Sequence, residues 1–205
     1  MIFFLSDNGG LRFEGKQTVP ITSNLPLRAG KGHLYEGGVR IPWIVRWPGS
    51  VAAGSACDTP VISPDLHPTI LAMAGAQRHS GSPIDGMDIG PLLRGSKNLK
   101  RDALYWHYPH YSNQGGVPAA AIRRGDFKLI EFYEDGRLEL YNLKQDIGEK
   151  HNLAAQDAEK AKEMRRMLDD WRRSVDAVMP RLNPKYDPAT ADQGLTGANP
   201  PPVIH

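Results

Sequence analysis

Asp7 and Asn8 are the first residues whose types and placement could do chemistry. They follow four bulky apolar residues, Ile2-Phe3-Phe4-Leu5, and precede Gly9-Gly10. A carboxylate oxygen and an amide carbonyl are hard donors that suit Ca²⁺ or Mg²⁺ better than zinc or copper. The apolar run predicts a buried strand, in the manner of a parallel sheet. The two oxygen ligands then fall at its carboxyl end, where open α/β sheets bind ligands. Paired glycines let the backbone turn tightly there. Asx-Gly runs are also common turn formers, so a metal site and a plain turn both stay open at this level.

A second group lies in Gly30-Lys31-Gly32-His33-Leu34-Tyr35-Glu36-Gly37-Gly38-Val39-Arg40-Ile41-Pro42. Lys31, between two glycines, offers an ammonium on a flexible stem that can stabilise charge on an anion. Further on, Tyr105-Trp106-His107-Tyr108-Pro109-His110-Tyr111 is rich in aromatic rings and imidazoles. It suits either a platform for a sugar ring or an aromatic core cluster. Zinc at His107 and His110 is disfavoured, because Pro109 prevents a helical two-ligand face and no cysteine lies nearby. The single cysteine, Cys57, excludes an internal disulfide framework and reads as a small apolar residue.

The order of these motifs resembles the formylglycine-dependent sulfatases, the arylsulfatase group of the alkaline phosphatase superfamily. Ser6-Asp7-Asn8-Gly9-Gly10 and the Gly-Lys-Gly-x-x-Tyr-Glu-Gly-Gly-Val-Arg-x-Pro run carry it. Trp47-Pro48-Gly49, Ser63–Leu71, Asp85–Gly95, Ile122–Ile130 and Glu139–Leu143 extend it. The similarity covers about residues 2–155 and matches the C-terminal portion of a sulfatase. The resemblance implies that Asp7 and Asn8 are calcium ligands, that Lys31 contacts a sulfate oxygen, and that His33, His107 and His110 could face substrate. Glu36, Gly37, Gly38 and Arg40 are architectural, with Glu36 and Arg40 pairing with loop backbone or each other.

In that family a Cys or Ser in Cys/Ser-x-Pro/Ala-x-Arg becomes formylglycine, whose hydrated aldehyde attacks sulfur. No such motif occurs here; Cys57 stands in Cys57-Asp58-Thr59-Pro60-Val61. The resemblance therefore implies a sulfuric ester hydrolase by family, with formylglycine and the remaining Ca²⁺ ligands expected upstream. This chain alone is expected to be inactive. Substrates would be sulfate monoesters of carbohydrates or small molecules, and a complementing N-terminal sulfatase polypeptide is an expected partner. The family implies a periplasmic or secreted location, although no signal peptide can be read. Two rival readings stay open: a phosphodiesterase or phosphonate hydrolase of the same superfamily, and a non-catalytic glycan- or anion-binding or decayed fragment.

The elements that must position these residues follow from pattern. The chain has 205 residues, 40% hydrophobic, with a formal charge of +2, so no broad electrostatic case exists for nucleic acid. No apolar run approaches membrane-spanning length. Met1 directly on an apolar strand leads us to expect sequence upstream. Residues 1–6 predict a strand, 7–38 a polar loop and Val39–Trp47 a second strand. Ser63 is the expected N-cap of a helix ending at Gly75, with Leu66, Ile70 and Met73 or Ala74 on its apolar face. Ala103–His107, Ala119–Arg124, Phe127–Phe132 and Leu138–Asn142 predict an antiparallel meander, turning at Gly125-Asp126 and Asp135-Gly136. Residues 156–179 predict a helix ended by Pro180, with Met164, Met167 or Leu168, Trp171, Val175 and Val178 forming an apolar stripe that packs on the meander. The expected fold class is α/β: residues 1–100 as the C-terminal part of an alkaline-phosphatase-like sulfatase domain, 101–180 as an antiparallel sheet with a packed helix, and 181–205 as a Pro-rich, poorly ordered tail.

Overall fold

The structure, a computed structural model, describes residues 1–12, 19–76, 81 and 83–187. From residue 188 on, the Pro-rich tail lies outside the described residues. The elements in chain order are β1 (Ile2–Leu5), α1 (Glu36–Val39), β2 (Trp43–Arg46), α2 (Leu66–Met73), α3 (Gly90–Leu93), β3 (Leu104–Tyr108), β4 (Ala119–Arg124), β5 (Phe127–Phe132), β6 (Leu138–Asn142) and α4 (Ala158–Ser174). The chain divides into two units: residues 1–7 with 42–102, and residues 8–41 with 103–205.

In the first unit β1 and β2 pair antiparallel, Ile2 opposite Arg46 and Leu5 opposite Trp43. This corrects the expected buried strand of a parallel sheet. Exposed Ile2, Phe4 and Ile44 alternate with half-buried Phe3, Leu5 and Val45, the period of a two-faced antiparallel strand. The second strand is also shorter than expected. Val39 closes the single helical turn of α1, and Pro42 has no N–H to give to a ladder. A 3₁₀ turn at Ser63–Asp65 leads into α2, and Ser63 is not its cap. The buried Asp65 carboxylate organises the turn instead. It accepts the N–H of Ile62 and Met87, each at 2.9 Å, and forms a two-pronged ion pair with Arg101. Ile70 is exposed, and α2 turns Thr69 inward, whose hydroxyl accepts the Ile89 N–H at 3.0 Å.

The second unit is built on the meander β3-β4-β5-β6, all antiparallel. Its period of two sorts the side chains into two cores. Ala120, Ile122, Leu129 and Leu140 face α4, which presents Ala161, Met164 and Leu168. Ala121, Ile130, Phe132 and Tyr141 face the other way, against Ala29 and Tyr35 of the loop before α1. One face of the sheet is thus covered by a helix and the other by the glycine-rich loop.

Helix α4 starts at Asp157, whose side chain caps the Lys160 N–H. It ends at Ser174, earlier than Pro180, where the Ala177 N–H turns back to the Arg172 carbonyl at 2.9 Å and Asp176 adopts φ +50°. Val175 and Val178 therefore leave the apolar stripe and stand 48% and 81% exposed. Trp171 is half-buried, stacked on Tyr105 at 4.9 Å between ring centres. Leu168→Ala should lower stability by about 2–5 kcal/mol because Leu168 is fully buried. Trp171→Ala should cost less than Leu168→Ala, since part of the indole already meets water. Urea unfolding of both variants checks the order.

Candidate functional site

Residues 8–12 and 19–41 form a set of glycine-lined turns zipped together by backbone bonds. The Gly9 N–H donates to the Gly38 carbonyl at 2.9 Å, and the Gly37 N–H to the Arg28 carbonyl at 2.9 Å. The Lys31 N–H donates to the Gly10 carbonyl at 3.1 Å, which also accepts from Asn24 Nδ2 at 2.9 Å. These approaches require glycine. A Cβ on Gly9 would stand 1.8 Å from the Gly37 carbonyl oxygen, and one on Gly30 would stand 2.5 Å from that of Gly10. Asn8-Gly9-Gly10 and Gly30-Lys31 are thereby brought together, as neighbouring turns of one unit.

The Asn8 Nδ2 donates to the Gly9 carbonyl at 2.9 Å, which sets the amide oxygen as the acceptor end of that side chain. Asp7 directly precedes it, with an exposed carboxylate. These donors are chemically right for a hard cation, but a Ca²⁺ shell takes six to eight oxygens. Among the described residues no group of three or more His, Cys, Asp or Glu gathers to hold a metal. Lys31 is exposed and its backbone is pinned.

The expected substrate histidines divide. His33 is half-buried beside Lys31, its Nε2 bonded to the Gln114 carbonyl at 3.1 Å and its ring stacked with Tyr35. His107 has both ring nitrogens engaged, Nδ1 with the Tyr133 hydroxyl at 2.6 Å and Nε2 with the Val178 carbonyl at 2.9 Å. It joins the sheet to the segment after α4, which is a packing role. His110 is exposed, edge-on to Tyr108.

Burial holds the His33 imidazole below its ordinary pKa of 6.5. The neutral ring is favoured in the folded state, so His33 contributes stability above that value, and the contribution is lost as pH falls through the lower folded value. Melting temperature should therefore drop less between pH 7.5 and 5 in His33→Gln than in the parent chain.

Sequence reasoning missed the charge cluster that underlies the loop. Lys128 of β5 is fully buried, with Nζ 3.0 Å from Glu36 Oε1 and 3.1 Å from Glu149 Oε1. Glu149 Oε2 accepts the Glu36 N–H at 2.7 Å, and desolvation pushes the Glu149 carboxyl above its usual range. Arg40 and Arg123 each approach Glu36 Oε2 at 3.7 Å, in line with the expected Glu36–Arg40 pairing. Arg28 donates to the Tyr141 hydroxyl and the Glu149 carbonyl, both at 2.9 Å, and lies over the Tyr35 ring. The Tyr35 and Tyr141 hydroxyls both donate to Glu139 Oε2. The cluster clamps the turn at Glu36–Gly38, and with it the carbonyl that receives Gly9, onto the sheet. A lysine at an alternating strand position gives no sign that it points into a core.

Comparison with known proteins finds relatives of this chain in sequence and in fold. The family model for the C-terminal part of N-sulphoglucosamine sulphohydrolase matches residues 29–174. A sulfatase of Formosa agariphila is 40% identical over 166 residues, covering 76% of this chain and 29% of the relative. The N-acetylglucosamine-6-O-sulfatase of Bacteroides thetaiotaomicron is 35% identical, over 68% of this chain and 26% of its own length. Among solved structures, Ps i-CgsB in complex with a neocarrahexaose aligns with a TM-score of 0.72 at 30% identity, covering 93% of this chain and 40% of that one. A complex with D-glucosamine-2-N,6-O-disulfate, described as the substrate of that protein, aligns with a TM-score of 0.60 at 34% identity, covering 67% of this chain and 29% of that one. This chain thus spans less than a third of the length of these curated relatives.

Proposed function

The chain belongs to the sulfatases and corresponds to their C-terminal part, and from that membership we propose that it supplies the sulfate-contacting and part of the metal-binding side of a sulfuric ester hydrolase acting on sulfated carbohydrates. The observation that carries this reading is the backbone bond between Lys31 and Gly10, which holds the exposed Lys31 in the turn next to Asn8-Gly9-Gly10. Lys31 would place positive charge on a sulfate oxygen, where negative charge builds as the ester bond breaks. Asp7 and Asn8 would give two oxygens to a Ca²⁺ ion, and the ion when bound would balance sulfate charge. The buried Lys128–Glu36–Glu149 cluster keeps the turn from relaxing. Carbohydrate specificity is carried over from relatives whose names or ligands are sulfated sugars. A periplasmic or secreted location follows from the family in the same way.

The attacking group is a different matter. The 205 residues contain no Cys/Ser-x-Pro/Ala-x-Arg, so the residues present do not fit formylglycine and no covalent step is assigned to them. The catalytic partner would be the N-terminal part of a sulfatase. The test joins this chain to the N-terminal part of the Formosa agariphila relative, in place of that relative's own C-terminal segment. The chimera is expected to hydrolyse an aryl sulfate, with Asp7→Ala and Asn8→Ala raising the Ca²⁺ concentration needed for half-maximal rate. An active chimera whose Ca²⁺ requirement ignores both substitutions would remove Asp7 and Asn8 from the metal site.

A further inference from the structure

The segment from Pro109 to Gly116, between β3 and β4, packs on the Lys31 turn at atomic range. A Cβ on Gly116 would lie 1.7 Å from the Gly32 carbonyl oxygen. A Cβ on Gly32, whose φ is +89°, would lie 2.1 Å from Ser112 Oγ. The His33 ring reaches across to the Gln114 carbonyl at 3.1 Å. The segment is closed on itself: the Ser112 N–H donates to the Gly116 carbonyl at 2.8 Å, and the Gln114 N–H to Ser112 Oγ at 3.1 Å. Its position beside Lys31 is therefore fixed by contacts on both sides.

What this segment shows to solvent differs from the strand before it. Tyr105 is stacked on Trp171 and His107 is engaged at both nitrogens, so neither is available to a ligand. His110, Tyr111 and Asn113 are exposed, Tyr111 at 69%. The Tyr111 hydroxyl donates to Glu134 Oε1 at 2.7 Å, which steadies the ring and occupies the nearby carboxylate. A phenol ring, an imidazole and an amide suit a polyhydroxylated ring, whose C–H face packs on the aromatic and whose hydroxyls bond to nitrogen and oxygen.

We infer that the segment 109–116 recognises the sugar side of the ester whose sulfate Lys31 contacts, with Tyr111 as its stacking surface. This rests on the reading of Lys31 given above. The strand Tyr105–Tyr108 serves as its support.

The test is an amide chemical-shift titration of the ¹⁵N-labelled full chain with inorganic sulfate, with unsulfated hexoses and with a panel of monosulfated hexoses and hexosamines. Sulfate should shift residues 30–33. At least one sugar sulfate should shift both 30–33 and 109–116 and bind more tightly than sulfate. Tyr111→Ala should weaken that sugar sulfate by about three- to tenfold and leave the sulfate titration unchanged. Tyr111→Phe, which keeps the ring, should bind like the parent. Lys31→Ala should weaken both sulfate and sugar sulfate. Lys31-dependent sulfate binding with no sugar sulfate tighter than sulfate, or with Tyr111→Ala without effect, would overturn the inference and leave the Lys31 reading standing. Shifts that do not depend on Lys31 would overturn the Lys31 reading and, with it, the inference.

Discussion

Lys128→Met should destabilise the chain by roughly 3–5 kcal/mol, the usual cost of stripping one partner from a buried ion pair. Lys128 has no exposed surface and stands between Glu36 and Glu149, both buried. Methionine fills similar volume, so the loss is electrostatic, with two carboxylates left near each other in a low-dielectric core. The pH dependence has a definite sign. The Glu149 carboxyl is already raised by desolvation and held back by Lys128. Without Lys128 its folded value rises further. A raised carboxyl stabilises the folded state on the acid side, and that contribution fades as pH rises through the folded value. The penalty of Lys128→Met should therefore be smaller at pH 5 than at pH 7.5 in urea unfolding. Adding Glu149→Gln should recover part of it. A loss under about 1 kcal/mol, the range of exposed pairs, would mean that the cluster does not hold the loop.

Lys31→Ala should lower the rate of the chimeric sulfatase by about 10²–10³, the cost of removing one group aimed at developing charge. Lys31 is exposed, and among the described residues it is its backbone that bonds within the turn. Alanine keeps that backbone bond, so melting temperature should not change, and the loss should fall on kcat. Lys31→Arg should recover little, because a planar guanidinium does not replace a compact ammonium between two glycine turns. A rate unchanged in Lys31→Ala would leave Lys31 as an ordinary solvated lysine.

The meander could be read from sequence almost residue by residue. The bounds expected for β4, β5 and β6 are those observed, because period-two patterns are bracketed there by Gly125-Asp126 and Asp135-Gly136. The stripe Met164, Leu168 and Trp171 was visible because these apolar residues recur at helical spacing. Three features were hidden. The run Ile2–Leu5 reads as buried from its composition, whereas its burial in this chain alternates. The turn Glu36-Gly37-Gly38-Val39 contains two poor helix formers, and its shape comes from glycine contacts with Arg28 and Gly9. Lys128 looks like any strand lysine, and its partners Glu36 and Glu149 come from α1 and from the segment after β6, both distant in sequence. Residue types in the candidate site were therefore legible, while the charge cluster beneath it depends on tertiary contacts that no local pattern encodes.

The central claim is that these residues hold a sulfate ester and do not attack it. The most direct measurement is sulfate release from an aryl sulfate and from sulfated sugars at saturating Ca²⁺, by the isolated 205-residue chain and by the chimera. The account predicts no release by the isolated chain and release by the chimera that falls in Lys31→Ala. Turnover by the isolated chain that disappears in its Lys31→Ala variant would contradict it, because another nucleophile would then be at work within these residues.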